Sequence, residues 1–423
     1  MRVLIVGAGG REHALAWAVS NAPLLEKLYV APGNPGTATI AQNVPIGVLD
    51  IHALVDFARA EKIDLVIPGP EAPLVVGLAD ALRDAGIRCC GPAAAAARLE
   101  GSKEFTKDVC AAAGIPTALW ESFTEAEAAL DFVSRRGAPI VIKADGLAGG
   151  KGVTVARTEA EAVHAIRALM QEGTLGEAGA KILIEECLQG EEVSLFALCD
   201  GTDAILLGAA QDFKRVGDGD TGPNTGGMGA ISPPPDFPPA AQHAALDVFI
   251  RPALREMAAR GAPFTGILFA GLMLTGEGPK LIEYNVRLGD PETQVLLPRL
   301  AHSDILAACL AAADGELAHV SLRWLDIACV GVVIAARGYP GTHAKGGAIA
   351  GLERAAAIPH AAVFHAGTDL RDDTLVSAGG RVLTVVATGP RLAAARASAY
   401  QAVREIDFAD GIFRTDIGAR PTP

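Results

Sequence analysis

The first hundred residues alternate short apolar runs with helical patterns, and this alternation limits the fold more than any other feature of the chain. Strand-like runs at 3–6, 28–31, 65–67 and 87–90 are separated by helical stretches at 12–20, 51–60 and 74–85. Such alternation predicts parallel βαβ units, whose ligands sit beyond the carboxyl ends of the strands. Those ends read Gly7-Ala8-Gly9-Gly10-Arg11-Glu12, Pro32-Gly33-Asn34-Pro35-Gly36 and Pro68-Gly69-Pro70-Glu71. A dinucleotide fingerprint fails here: Glu12 stands where the third glycine belongs, and the second strand ends without an acid for a ribose. Two readings remain for these glycines. They serve tight turns, or their backbone N–H groups cradle a phosphate or phosphosugar at a helix N-terminus, with Arg11 or Glu12 beside it and Glu71 facing sugar hydroxyls.

The 423 residues predict two or three domains at about 150 residues each. Half of them are hydrophobic, which excludes a disordered chain. The mean hydropathy of +0.30 comes mainly from alanine. The apolar run 328–336 is far short of the roughly 20 residues that span a bilayer, so no membrane association is expected. The N-terminal apolar stretch gives way at once to Arg11 and Glu12, unlike a signal peptide. Seven cysteines without a CxxC pair predict reduced thiols and a cytoplasmic location. A net charge of −13 argues against a nucleic-acid surface, so an anionic substrate must meet local basic or backbone N–H groups.

From Gly101 the texture changes. Gly101-Ser102-Lys103 opens a helix over 104–113 that stops at Gly114 and Pro116. A buried-strand pattern ends in Lys143, and Asp145-Gly146-Leu147-Ala148-Gly149-Gly150-Lys151-Gly152 leads directly into another strand at 153–155. A Walker loop is rejected by register: its first glycine would fall on Asp145, Gly152 replaces the Ser or Thr, and no helix follows. A glycine-rich loop between two strands is instead a hairpin or a flexible lid that can fold over phosphates. At 182–194 a strand runs into a short hinge whose backbone suits adenine, with Glu192 available for ribose. Residues 218–229 form a long small-residue loop with no core pattern, beside Lys214 and Arg215, which favours substrate contact. On the last strand Glu283, Asn285 and Arg287 share a face. A carboxylate and an amide oxygen side by side suit Mg²⁺ on nucleotide phosphates, and Arg287 can neutralise a transferring phosphoryl group.

Taken in series, these residues resemble the ATP-grasp superfamily and, within it, the glycinamide ribonucleotide synthetases, over essentially the whole chain. The resemblance is carried by GGREHALAW (9–17), APGNPGT (31–37), GPEAPL (69–74), GSKEFTK (101–107), IVIKADGLAGGKGV (140–153), AQDFKRVGDGDTGPNTGGMGA (210–230) and IEYNVRLGDPETQ (282–294). It implies an α/β and α+β multidomain fold: an N-terminal parallel-sheet domain (1–100), a central ATP-grasp region (101–325, with 122–193 as a mobile lid) and a small C-terminal α+β domain (326–423). It implies ATP-dependent joining of glycine to 5-phosphoribosylamine through glycyl phosphate, with Mg²⁺ or Mn²⁺. A transient contact with the enzyme that supplies phosphoribosylamine belongs to the same expectation. A carboxylate activated as an acyl phosphate needs positioning and charge stabilisation more than a protein nucleophile, and the sequence carries no Ser-His-Asp or Cys-His set.

Carried over residue by residue, the resemblance assigns ATP to Lys103, Lys143, Asp145, Gly149, Gly150, Lys151, Gly152, Glu185, Glu186, Leu188 and Glu192. The metal falls to Glu283 and Asn285, since the preceding strand (268–274) offers no acid. Substrates fall to Gly9, Gly10, Arg11, Glu12, Asn34, Glu71, Asn224, Thr225, Gly226, Gly227, Asp290, Pro291 and Glu292. Asp212, Lys214 and Arg287 carry the catalytic roles, and His13 orders the first loop. Two other readings use the same residues: another ATP-grasp reaction, such as a carboxylase or formate-using ligase, and a non-catalytic nucleotide-binding regulator. The first-loop motifs speak against the former. The intact set Lys103, Lys143, Glu283, Asn285 and Arg287 speaks against the latter.

Overall fold

The computed structural model describes residues 1–149, 152–301 and 304–419. The N-terminal alternation produces a five-stranded parallel sheet built on Arg2–Gly7, flanked by Lys27–Pro32 and Leu65–Pro68, with Gln42–Asn43 and Arg88–Cys89 at the edges. The helical pattern expected over 74–85 is two helices, Ala72–Val75 and Leu78–Asp84, interrupted at Gly77. That glycine has φ +95°, which ends one helix and starts the next at a new angle.

The central region contributes a four-stranded sheet, most of a larger sheet and a short two-stranded hairpin. Trp120–Phe123, Ile182–Glu186, Ile140–Ala144 and Val153–Ala156 form a four-stranded antiparallel sheet in that order. Its core, including Phe123, Val133, Ile142, Ile166 and Ile184, is a separate cluster, so this unit carries its own hydrophobic support. Leu4 and Val6 of the N-terminal sheet and Leu54 of the helix Ile51–Ala60, by contrast, pack in one core with Leu195, Phe249, Leu268 and Tyr284 of the central region. The helix Lys103–Ala113 runs as expected. Ser102 Oγ accepts from Phe105 N at 3.2 Å, and Gly114 ends it at φ +67°. A cap of that kind contributes about 1 kcal/mol.

The larger sheet runs Gly278–Asn285, Thr265–Thr275, Glu191–Asp200, Ala204–Asp212, Gly229–Ser232, Ala328–Ala336, Arg381–Gly389 and Ala361–His365, with Gly411–Ile412 against Ala328–Ala336. The C-terminal strands therefore extend the central sheet, and the short strand Gly229–Ser232 is the bridge. Residues 218–229 are less irregular than their composition suggests. Arg215–Gly217 and Thr221–Asn224 pair as a hairpin in which Arg215 faces Asn224. Among the described residues no helix is long and apolar enough to cross a membrane.

Candidate active site

A cavity of about 540 Å³ opens where the three regions meet. Arg11 and Glu71 reach it from the N-terminal sheet, and Lys103, Lys143, Glu185, Glu186, Leu188 and Glu192 from the central region. Asp212, Lys214, Asn224, Thr225, Gly226, Glu283, Asn285, Arg287, Asp290 and Glu292 complete that central contribution. Gly149 and Gly152 of the glycine-rich loop line it too, whereas Gly150 and Lys151 lie outside the described residues.

At one end Lys143 Nζ sits 2.9 Å from Glu185 Oε2, and Lys107 Nζ shares the same oxygen at 3.2 Å. All three side chains are at most 4 % exposed. Glu185 Oε1 is buried with no hydrogen-bond partner, an acceptor left for a ligand. Lys103 is depressed by burial first and by Lys143, partly offset by Glu283. Asp145 does not line the cavity. Its carboxylate accepts from Ser102 Oγ at 3.1 Å and Glu104 N at 2.8 Å, tying the start of the loop to the helix N-terminus. Glu186 turns its carboxylate to Leu119 N at 3.0 Å.

The next group is Glu283, Asn285 and Arg287. Burial pushes the Glu283 carboxyl up, but Lys214, Lys143 and Lys103 outweigh it and hold it below the ordinary range. Asn285 Nδ2 donates to Glu283 Oε1 at 3.3 Å, and Asn285 Oδ1 accepts from Arg287 Nη2 at 3.0 Å. An ionised carboxylate beside an amide oxygen, facing three lysines, fits a divalent cation that takes its remaining ligands from phosphate and water. Among the described residues there is no group of three or more His, Cys, Asp or Glu that could hold a metal ion. Arg287 is held by Nε to Glu71 at 2.9 Å, Nη2 to Glu100 at 2.8 Å, and one Nη1 N–H to Leu288 O at 3.1 Å. Burial alone would lower its pKa, yet Glu100 and Glu71 raise it. Glu100 is buried and pushed up to about 7, by burial first, against the pull of Arg287.

The far end is rich in acids. Asp212 Oδ1 is buried and unpartnered, and the carboxyl is raised well above its usual range by burial and by Glu292. Glu292 is itself raised by burial, with Ser194 Oγ at 3.1 Å from its Oε1. Lys214 pairs with Glu192 through Oε1. Asp290 is held low, since Arg381 and Arg11 outweigh burial.

The loop residues of the N-terminal sheet divide. Glu12 lies outside the cavity lining and is absorbed by its own loop: it accepts from Gly9 N at 2.6 Å and pairs with Arg11 Nε at 2.6 Å. A Cβ at Gly7 or Gly69 would fall within 2.5 Å of the Glu12 side chain, so those glycines make its slot. One at Gly10 would meet Gln294 Nε2 at 2.6 Å. Gly9, Gly10, Asn34, Gly227 and Pro291 also lie behind the lining. Asn34 binds Ala8 O at 2.8 Å, His365 O at 2.9 Å and the N–H groups of Gly36 and Thr37. Lys107, Glu100 and Arg381 were not expected from the sequence. Lys107 sits in the GSKEFTK segment, one helical turn beyond Lys103, and that spacing was a usable signal. Nothing in the chain near Arg381 marks it.

A nucleotide-sized cleft between a four-stranded sheet and a larger sheet, with paired lysines and an E-x-N strand end, defines the ATP-grasp class. Comparison with known proteins agrees. Models of the phosphoribosylglycinamide synthetase N domain, ATP-grasp (A) domain and C domain match residues 1–100, 101–293 and 329–420. The chain belongs to the phosphoribosylglycinamide synthetase family. It is 55 % identical to the phosphoribosylamine–glycine ligase of Brucella melitensis, over 99 % of this chain and 98 % of that one. It is 51 % identical to the Escherichia coli O6:H1 protein of the same name, with the same coverage. The crystal structure of the Thermotoga maritima phosphoribosylamine–glycine ligase superposes with a TM-score of 0.84 at 32 % identity, covering 99 % of this chain and all of the other. A biotin carboxylase domain from Hydrogenobacter thermophilus, in complex with MgADP, shares the fold at 18 % identity and a TM-score of 0.76, covering 97 % of this chain and 91 % of that one.

Proposed function

We propose that this protein joins glycine to 5-phosphoribosylamine at the expense of ATP, giving glycinamide ribonucleotide, ADP and phosphate. The observation that carries the reading is one cavity in which the Lys103–Lys143–Lys214 set faces Glu283 and Asn285 and which continues to Arg11 and Glu71. A glycine carboxylate oxygen attacks the γ-phosphorus, ADP departs, and glycyl phosphate results. The amine of phosphoribosylamine then attacks the acyl carbon, and phosphate leaves with the C–O bond electrons while the amine loses a proton.

Lys103 and Lys143 hold the ATP phosphates, and the loop at 145–152 covers them. The unpartnered Glu185 Oε1 accepts a hydrogen bond from the adenine amino group, and Leu188 packs against the ring. Glu192 is the ribose ligand if it exchanges Lys214 for a hydroxyl. Glu283 and Asn285 hold Mg²⁺ or Mn²⁺, which when bound neutralises charge on the phosphate oxygens. Arg287 acts through its charge and by fixing Glu71 and Asn285, since four of its five N–H groups are already used. Asp212, Lys214 and Glu292, with the 224–227 and 290–292 segments, receive glycine. Arg11 and Glu71 receive the aminosugar, in a loop whose shape Gly9, Gly10, Glu12 and Asn34 maintain.

The same reading takes 1–100, 101–325 and 326–423 as domains and 122–193 as a moving lid. The separate core of the four-stranded sheet supports the last point. It also sets the reaction in the cytoplasm, with phosphoribosylamine received through a transient contact with its producing enzyme. The test is ADP release with ATP, Mg²⁺ and glycine, the aminosugar being generated in place from ribose 5-phosphate and ammonia. Release that requires both glycine and the aminosugar supports the ligase. Release without either, or none at all, refutes it.

A further inference from the structure

Both backbone groups of Gly226 are held by side chains from the C-terminal part of the chain. Its N–H donates to Tyr339 Oη at 2.9 Å, and its carbonyl accepts from Arg381 Nη1 at 2.5 Å. The same nitrogen donates to Asp290 O at 2.5 Å, and Nη2 lies 3.2 Å from the Asp290 carboxylate. One guanidinium thus joins the 224–227 loop to the 289–292 segment. The fit around it is tight. A Cβ at Gly226 would lie 3.0 Å from Arg381 Cζ, and one at Gly227 would meet Pro291 Cδ at 2.4 Å and Asp212 Oδ1 at 2.5 Å. Gly227 also has φ +109°, a backbone conformation that glycine alone takes readily. Its N–H is fixed by Thr225 Oγ1 at 2.9 Å. Arg381 opens the strand Arg381–Gly389, whose pairing with Ala328–Ala336 places it opposite Ala335. The sheet that carries Arg381 is therefore in register with the strand Gly229–Ser232 that follows the loop.

We propose that Arg381, assisted by Tyr339, is a positioning residue for acyl transfer: it locks residues 224–227 and 289–292 into one wall and so sets where the amino acid and the aminosugar meet. ATP is bound by other residues and does not depend on this wall. The inference rests on the ligase reading above. It has a chemical consequence. With the wall loosened, water reaches the glycyl phosphate and attacks its acyl carbon, phosphate leaves, and glycine is regenerated. The net reaction is then ATP hydrolysis without amide formation.

The experiment compares Arg381→Ala, Arg381→Lys and Tyr339→Phe in the full-length enzyme, recording KM for each substrate and the ratio of ADP to amide product. Arg381→Ala is expected to raise KM for glycine or the aminosugar by about tenfold, a single lost charged hydrogen bond or more. KM for ATP stays within about twofold on the same scale, and more than one ADP appears per amide. Arg381→Lys recovers only part of the loss, because an ammonium cannot reproduce the guanidinium fork. Tyr339→Phe removes one hydrogen bond while keeping the ring, so it reads the same effect in milder form if the alanine variant fails to fold. A parallel rise in KM for ATP, or an unchanged KM set with one ADP per amide, overturns the proposal. A wild-type enzyme lacking ADP release coupled to both substrates overturns the ligase reading itself.

Discussion

Lys143 and Glu185 stand on adjacent antiparallel strands, two residue pairs apart on the diagonal, with Nζ 2.9 Å from Oε2 and both side chains 4 % exposed. Because Lys107 uses the same oxygen, one carboxylate balances two buried ammonium groups and still leaves Oε1 unpaired. The free oxygen is an acceptor open to a donor from outside the protein, as the proposed adenine contact requires.

Replacing that carboxylate tests the point. Glu185→Gln leaves Lys107 and Lys143 without their buried counter-charge, a change that costs about 3 kcal/mol or more. A thermal midpoint lowered by several degrees is expected, together with weaker adenine nucleotide binding by calorimetry. Unchanged affinity would remove Glu185 from the nucleotide site.

The metal pair is tested at Glu283, whose carboxylate also faces Lys103, Lys143 and Lys214, so Glu283→Ala is expected to lower the thermal midpoint by a few degrees and kcat on the order of 10²-fold. Binding of Mn²⁺, followed by its electron paramagnetic resonance signal in the presence of ADP, should weaken in parallel. Full Mn²⁺ binding by the variant would count against this ligand.

Acid should loosen the contact between the N-terminal loop and the C-terminal sheet. His13 Nδ1 accepts from His365 N at 2.8 Å, and the rings of Phe364 and His365 pack on His13. Burial, then the neighbouring His365, lowers His13 to about 3, and burial lowers His365 to about 4. Above the unfolded value of about 6.5 neither state binds these protons, so stability is unaffected there. As pH falls from about 6.5 toward 4, the unfolded chain takes up a proton at each ring that the folded chain refuses, and stability declines. The thermal midpoint should drop across that window, and His13→Asn should flatten the slope.

Thiol labelling offers a check on the cavity. Of the seven cysteines only Cys187 is not buried, and it lines the cavity beside Leu188. Iodoacetamide under native conditions should modify Cys187 first, as seen by peptide mass spectrometry, and ATP should slow that reaction. Labelling unaffected by saturating ATP would move the nucleotide away from the hinge.

What the sequence determined by itself is what local periodicity and local chemistry encode. The βαβ alternation, the helix between Ser102 and Gly114, the strand–loop–strand about Lys143 and the Glu283–Asn285 spacing all follow from residues a few positions apart. So does most of the cavity lining, because the motif residues sit at the strand ends and loops that border the cleft. The tertiary structure decided the rest. Glu12 and Asn34 carry the right chemistry for a ligand, yet Glu12 bonds within its own loop and Asn34 to the neighbouring one. Arg287 meets Glu100 and Glu71 across 187 and 216 residues. Arg381 reaches Gly226 across 155, through a sheet that passes from one region to the next by the four residues Gly229–Ser232. Pairings at such separations leave no periodic trace in the chain. They are set by which strands become neighbours and by the burial that makes each charge find a partner.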